Sequence, residues 1–208
     1  MNDAVPAVIM LGGGGHAAVC LDVFRAAGVE VVGYLAAEAG DLDLEYLGDD
    51  SHVSDLNPED CRIFVAIGSN RLRRTLTQMA AEHGHRFACA VSPNAVLSPS
   101  VSVGPGAVIM PGAVINARTS IGAGVIVNTC ASIDHDGSIS DFVHVAPGCH
   151  LAGSVSVGTG AFLGVGTSVI PGRSIGEWAT VGAGGVVVHD IEPSVTAVGV
   201  PARPLTGR

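Results

Sequence analysis

Val108-Ile109-Met110-Pro111-Gly112-Ala113, Val114-Ile115-Asn116-Ala117-Arg118-Thr119, Ser120-Ile121-Gly122-Ala123-Gly124-Val125: written in sixes, this stretch has an aliphatic residue at the second place of every row. The beat runs unbroken from Val91 to Val187, every sixth residue being Val, Leu or Ile. Four places after each comes a small or aliphatic residue, with Arg173 the clear exception. A helix repeats every 3.6 residues and a strand every two, so neither alone gives this period over so long a run. A coil of three short strands does, and the segment is predicted to be a parallel β-helix.

The register sets the geometry. With the aliphatic residue as place zero, places two and three are repeatedly Pro-Gly: Pro105-Gly106, Pro111-Gly112, Pro147-Gly148, Pro171-Gly172. That pairing suits a type II turn, so these are the corners. The remaining places form strands that alternate inward and outward. Residues eighteen apart then stack, about 4.8 Å from one another. One face carries a column of serines, Ser102, Ser120, Ser138, Ser156 and Ser174, and reads as solvent-facing. A second carries Val108, Ile126, His144, Phe162 and Thr180 beside Met110 and Asn128. Its apolar stripe reads as an interface or a ligand groove. The third is mixed, with Val96, Val114, Ser132, His150, Ser168 and Val186.

Composition agrees with a narrow prism. Apolar residues make up 48% of the 208 residues but aromatics only 4%, so the core must be Val, Ile, Leu and Ala. A net charge of −9 argues against a nucleic-acid partner. Five cysteines without a CxxC pair read as small buried residues of a reducing compartment. No basic leader and no membrane-length apolar run is seen, and the expected location is the cytoplasm.

The first part of the chain has another rhythm. Ala7–Leu11 reads as a strand, then Gly12-Gly13-Gly14-Gly15-His16 opens a helix to about Ala27. Glu30–Leu35 and Arg62–Ile67 read as further strands, and a helix with Leu72, Leu76 and Met79 on one face runs to about Glu82. Alternating strands and helices imply a parallel sheet. The expected organisation is therefore a Rossmann-like α/β domain over 1–88, a β-helix over 89–192 and a capping tail over 193–208. Gly12, Gly14 and Ala17 fit GxGxxA, which places backbone N–H groups and a helix dipole against a phosphate. Ala36 and Ala37 stand where an acidic residue would hold a ribose, which disfavours NAD.

His135-Asp136 takes a corner where other coils have Pro-Gly. The stacked neighbours Ala117 and Gly153 are small and leave the imidazole room. Such a pair reads as a general base with an orienting carboxylate, or as a surface histidine. Asn128 and His144 belong to another face, so within one chain they are not expected to share a site with His135. Across a subunit boundary they could.

The segments Asn128-Thr129, Ile133-Asp134-His135-Asp136, His144-Val145-Ala146-Pro147-Gly148 and Leu151-Ala152-Gly153 resemble the sugar-nucleotide N-acetyltransferases of bacterial glycan synthesis. These are left-handed β-helix acyltransferases of the NeuD/PglD type, which include sialic-acid O-acetyltransferases. Ala66-Ile67-Gly68-Ser69-Asn70 and Val198-Gly199-Val200-Pro201-Ala202-Arg203 carry the likeness to both ends. The resemblance implies a homotrimer with acetyl-CoA between adjacent prisms and no required metal. It implies His135 as base and Asp136 as its orienting neighbour. A nucleotide-linked amino sugar would meet His16, Asn128, Gly12, Gly13, Gly14, Ser69 and Asn70. Acetyl-CoA would meet His144, Gly153, Val165 and Ala183. The chain departs from its relatives at Ala36-Ala37, which leaves the nucleotide base open.

The expected reaction is direct attack of the sugar amine on acetyl-CoA, with no acyl-enzyme, and His144 or a backbone N–H as donor to the oxyanion. O-acetylation of a sugar such as sialic acid is an alternative. So is a non-catalytic sugar-nucleotide-binding prism. A zinc protein on the same prism would need converging histidines, and His144 and His150 fall on different faces.

Overall fold

The computed structural model describes residues 7–205. At its N-terminal end, β1 (Ala7–Leu11), β2 (Val31–Leu35) and β3 (Cys61–Val65) form a parallel sheet in the order β2-β1-β3. Helix α1 (Gly15–Ala26) connects β1 to β2, and α2 (Asn70–Glu82) follows β3. Both sheet faces are covered, which is why these strands are runs of Val, Ile, Leu and Phe rather than alternating patterns. A 3-10 turn, Asp50–Asp55, lies in the long β2–β3 connection and was not foreseen from the sequence. The face of α2 also differs from expectation. Leu76 and Ala80 are buried with Arg73, whereas Leu72 is 47% exposed. Burying an arginine there has a specific cause, given below.

From Ala90 the chain winds as a parallel β-solenoid of about six turns. Its three sheets hold eight, six and five strands, most of them two residues long. The stacking interval of eighteen is observed: Val108 pairs with Ile126, Ile126 with His144, and His144 with Phe162. Backbone hydrogen bonds carry each ladder beyond the two-residue strands, as from Val114 N–H to the Ala131 carbonyl (3.0 Å) and Asn116 N–H to Ile133 (2.9 Å). The second corner residue has positive φ in coil after coil. Where glycine is absent, Arg118, Cys130, Asp136, Phe142, Ser154 and Trp178 hold φ of 55–60°, a conformation that costs side chains of order 1 kcal/mol or more. Inside the prism the aliphatic column is close to fully buried. The inward threonines are satisfied: Thr119 Oγ1 donates to the Asp134 carbonyl (2.8 Å) and Thr167 Oγ1 to Gly164 (2.7 Å).

The three faces have different fates. The serine face is open, with Ser102, Ser120, Ser138 and Ser156 exposed. The mixed face is also open, and Val96 (63% exposed) and Ile170 (41%) project from it. The apolar stripe is not open. Val108, Met110 and Ile126 are buried in one cluster with Met10, Phe24 and Phe64. The chain's own N-terminal domain covers them, so this stripe is no subunit interface. The cysteines divide as well: Cys20, Cys61 and Cys149 are buried, but Cys89 and Cys130 are exposed, and all five are free.

Candidate active site

Two groups of candidate residues emerge, on different parts of the prism. The first is the corner between the mixed and serine faces. His135 Nδ1 lies 2.7 Å from Asp136 Oδ2. A carboxylate can only accept, so Nδ1 carries the proton and Nε2 presents its lone pair outward. Asp136 is itself fixed. Arg118, one coil earlier, donates from Nε to Oδ1 (2.6 Å) and from a terminal nitrogen to Oδ2 (2.9 Å). The Arg118 guanidinium, and after it His135, hold the Asp136 carboxyl far below the usual carboxylate range. Arg118 and Asp136 both sit at positive φ, so a two-point ion pair joins two strained corners in adjacent coils. The sequence reading missed Arg118, although its place eighteen residues before Asp136 was available in the register.

Gly153 completes this corner. A Cβ added there would lie 2.6 Å from His135 Cε1 and 2.7 Å from Nε2. The imidazole therefore occupies the space that any larger residue would fill. A cavity of about 390 Å³ opens beside it, lined by Asp134, His135, Ala152, Gly153, Ser154 and Pro171.

The second group lies where the N-terminal domain meets the covered face. His16, in the first turn of α1, and His144 have ring centroids 6.5 Å apart, and Phe162 packs edge-on to His144 at 5.2 Å. The Asn128 Oδ1 accepts from Thr129 N–H (2.8 Å), which turns Nδ2 toward His144 Nε2 at 3.1 Å. The ring proton of neutral His144 is thereby placed on Nδ1, which is buried and has no hydrogen-bond partner. The Gly68 carbonyl is near without closing a bond, and favours the charged ring. Burial, then the Arg73 charge, outweighs it: His144 is lowered to about 4, and His16 likewise to about 4 from the same two causes. Both rings are neutral near pH 7.

Other candidates lie around these groups. Gly12 has φ +120°, and a Cβ there would meet the Ala66 carbonyl at 2.8 Å, so this glycine serves the close approach of β1 and β3. Gly13 packs on Tyr34, whereas Gly14, which caps α1 without a side chain, faces open space. Ser69 caps α2 and makes no side-chain cap bond. The Asn70 amide is committed to the solenoid, donating to the carbonyls of Gly160 (3.1 Å) and Ala161 (3.0 Å). Val165 and Ala183 are stacked and exposed at the corner between the covered and mixed faces. Gly153 is at the opposite edge of the mixed face, so one chain does not bring these three together. His150 bonds Ser132 on the mixed face (2.9 Å) and does not approach His144. Among the described residues no group of three metal-ligating side chains converges, and no helix is long and apolar enough to cross a membrane.

Comparison with known proteins bears on the whole chain. Residues 7–80 match the PglD N-terminal domain. PerB from Caulobacter crescentus, solved in complex with CoA and GDP-perosamine, is 46% identical, with a TM-score of 0.94 over 98% of this chain and 99% of that one. The acetyltransferase domain of PglB from Neisseria gonorrhoeae, solved with acetyl coenzyme A, is 36% identical, with a TM-score of 0.93 over 97% and 100%. Curated relatives match less of their length: the chain spans about a quarter of a Schizosaccharomyces pombe protein named a putative acetyltransferase, 43% identical over 51 residues, or 24% of this chain and 25% of that one. With a stacked six-residue coil, an N-terminal α/β unit and near-complete overlap with PerB, the chain belongs to the left-handed β-helix sugar N-acetyltransferases of the NeuD/PglD type.

Proposed function

We propose that this enzyme transfers the acetyl group of acetyl-CoA to the amino group of a nucleotide-linked amino sugar, of the 4-amino-4,6-dideoxy kind, in bacterial glycan synthesis. The observation that carries this is the 46% identity to PerB across nearly all of both chains, because PerB was solved with CoA and GDP-perosamine. The N-terminal unit, read as a Rossmann-like domain over 1–88, would hold the nucleotide. Its parallel order and the open Gly14 turn at the head of α1 support that role. The β-helix over 89–192 would supply the chemistry, with 193–208 as its cap.

The chemistry follows from the two groups of residues. The amine of the sugar must lose a proton to attack. His135 Nε2 is the acceptor, and Asp136 holds the ring and stabilises its charged form. The amine nitrogen bonds to the thioester carbonyl carbon, the C–S bond breaks, and the proton from His135 leaves with the CoA thiol. Neutral His144 or a backbone N–H of the groove is the oxyanion donor. No acyl-enzyme is formed. His16, Asn128 and Gly12 to Gly14, with Ser69 and Asn70, bound the sugar nucleotide. Gly153, Val165 and Ala183 bound acetyl-CoA.

The two groups lie on different faces of one prism, which supports a homotrimer in which one chain supplies His135 and its neighbour supplies Asn128 and His144. The open mixed face, flanked by Gly153 on one edge and by Val165 and Ala183 on the other, is the surface for that contact. Unpaired cysteines are in keeping with a cytoplasmic enzyme. The test is release of free thiol from acetyl-CoA with GDP-, UDP- and dTDP-linked 4-amino sugars. Release with at least one, absent with the corresponding 4-hydroxy sugar, is expected. Release only with hydroxyl acceptors would make it an O-acetyltransferase.

A further inference from the structure

Helix α2 lies along the corner of the prism between the serine face and the covered face, and it reads that corner in register. The corner column is Gly124, Phe142, Gly160 and Trp178, each one coil above the last. Arg73 donates from Nε to the Gly124 carbonyl (2.7 Å) and from a terminal nitrogen to the Phe142 carbonyl (2.9 Å). Asn70 donates to the Gly160 carbonyl (3.1 Å). Arg71 stacks on the Trp178 ring with its guanidinium carbon 4.4 Å from the centroid. One turn of helix thus contacts four successive coils.

Arg73 is the unusual member. It is 1% exposed and no carboxylate reaches it among the described residues. Its other N–H groups donate to the carbonyls of Ile67 (2.9 Å) and Gly68 (3.2 Å) and to Asn70 Oδ1 (2.9 Å). A buried cation held only by neutral acceptors is costly unless nearly every donor is used, so the site is sensitive to small displacements. Ile67 and Gly68 lie in the short link between β3 and α2, and the Gly68 carbonyl borders His144. The same guanidinium therefore grips the rim of the substrate pocket with one edge and two solenoid corners with the other.

We propose that Arg73 is a positioning residue of the acetyl transfer. It fixes the Ile67-Gly68 rim of the nucleotide-binding domain over the solenoid pocket of Asn128 and His144, so that the sugar bound to one domain meets the groups carried by the other. The hydrogen bonds on both sides of the seam are the basis. The depressed titration of His16 and His144, to which the Arg73 charge contributes after burial, is consistent with its place beside both rings.

This inference rests on the proposed nucleotide-sugar substrate, and the experiment separates the two. Wild type, Arg73→Lys, Arg73→Met and Leu76→Ala are assayed for thiol release with the sugar nucleotide the wild type accepts, and their melting temperatures are recorded. Leu76 is buried on α2 but is not part of the seam. It is the control for general loosening of the helix. Arg73→Lys keeps the charge but cannot span both sides. It should raise KM for the sugar nucleotide by roughly ten- to a hundred-fold and lower kcat, with KM for acetyl-CoA within about two-fold of wild type. Arg73→Met should be worse if it folds, and Leu76→Ala should lower the melting temperature while leaving both KM values near wild type. If Arg73→Lys keeps the wild-type KM for the sugar, or if Leu76→Ala reproduces its kinetic pattern, Arg73 only stabilises α2 and the inference is overturned. Absence of wild-type turnover with every amino-sugar nucleotide would instead overturn the substrate assignment.

Discussion

At the scale of single residues, the His135 corner is held from three sides. Asp136 fixes the tautomer, Arg118 fixes Asp136, and Gly153 leaves space for the ring. Each contribution has its own signature. His135→Ala removes the proposed proton acceptor and should lower kcat by roughly 10²- to 10⁴-fold with little change in Kd for acetyl-CoA. Asp136→Asn should cost less, since in the proposed mechanism that residue orients and moves no proton. Wild-type activity of His135→Ala across pH would place the proton transfer elsewhere. Gly153→Ala tests space alone. Its backbone φ is not in the left-handed region, so the fold tolerates alanine, yet the new methyl would overlap the imidazole. A fall in kcat of about ten-fold or more, at an unchanged melting temperature, is expected. Unchanged kcat would show that the ring works from another position.

At the scale of elements, the six-residue register carried the solenoid well and its surroundings poorly. Which residues point inward, which stack and which form corners all follow from the repeat, because each coil obeys the same steric rule. Val108, Met110 and Ile126 were legible as one outward apolar stripe, but a register cannot say what covers an outward face. The cover proved to be α1 and the sheet of the same chain. Nor could it show the burial of Arg73, since an arginine beside Leu72 and Arg74 in a helix reads as surface. Its acceptors are corner carbonyls far along the chain, which no local pattern reveals. In the candidate site, the His135–Asp136 pair was visible as a break in the Pro-Gly corners, whereas the meeting of His16 with His144 depends on how two domains dock. That docking is itself testable. Ile126→Ala opens a cavity in the seam and should cost about 2–5 kcal/mol in denaturant unfolding. A cost below about 1 kcal/mol would mean that the N-terminal domain does not hold that face in solution.

At the scale of the whole molecule, two half-buried neutral histidines couple stability to pH. In the unfolded chain each titrates near 6.5, and in the fold near 4. Between these values the unfolded state binds more protons, so stability must fall as pH falls through the window from about 6.5 to 4. For one imidazole the full effect is roughly 3 kcal/mol below about pH 4. The Asp136 carboxyl, held low by Arg118, adds its own loss only in stronger acid. The melting temperature should therefore drop through this window, and less steeply for His16→Gln. Equal slopes for the two proteins would mean that His16 is not held neutral.

The most direct test of catalysis shared between chains is subunit mixing. In the proposed homotrimer, His135→Ala and Asn128→Ala chains assembled separately should each lose most of their activity, for no interface in either would hold both groups. After dissociation and joint reassembly, some interfaces pair an intact His135 with an intact Asn128 from the neighbouring chain. A site built across the boundary predicts that thiol release returns, to a fraction of wild type set by the mixing ratio. Mixed trimers that assemble, confirmed by mass, and remain as inactive as both parents would place the whole site within one chain and contradict the division of faces on which the mechanism rests.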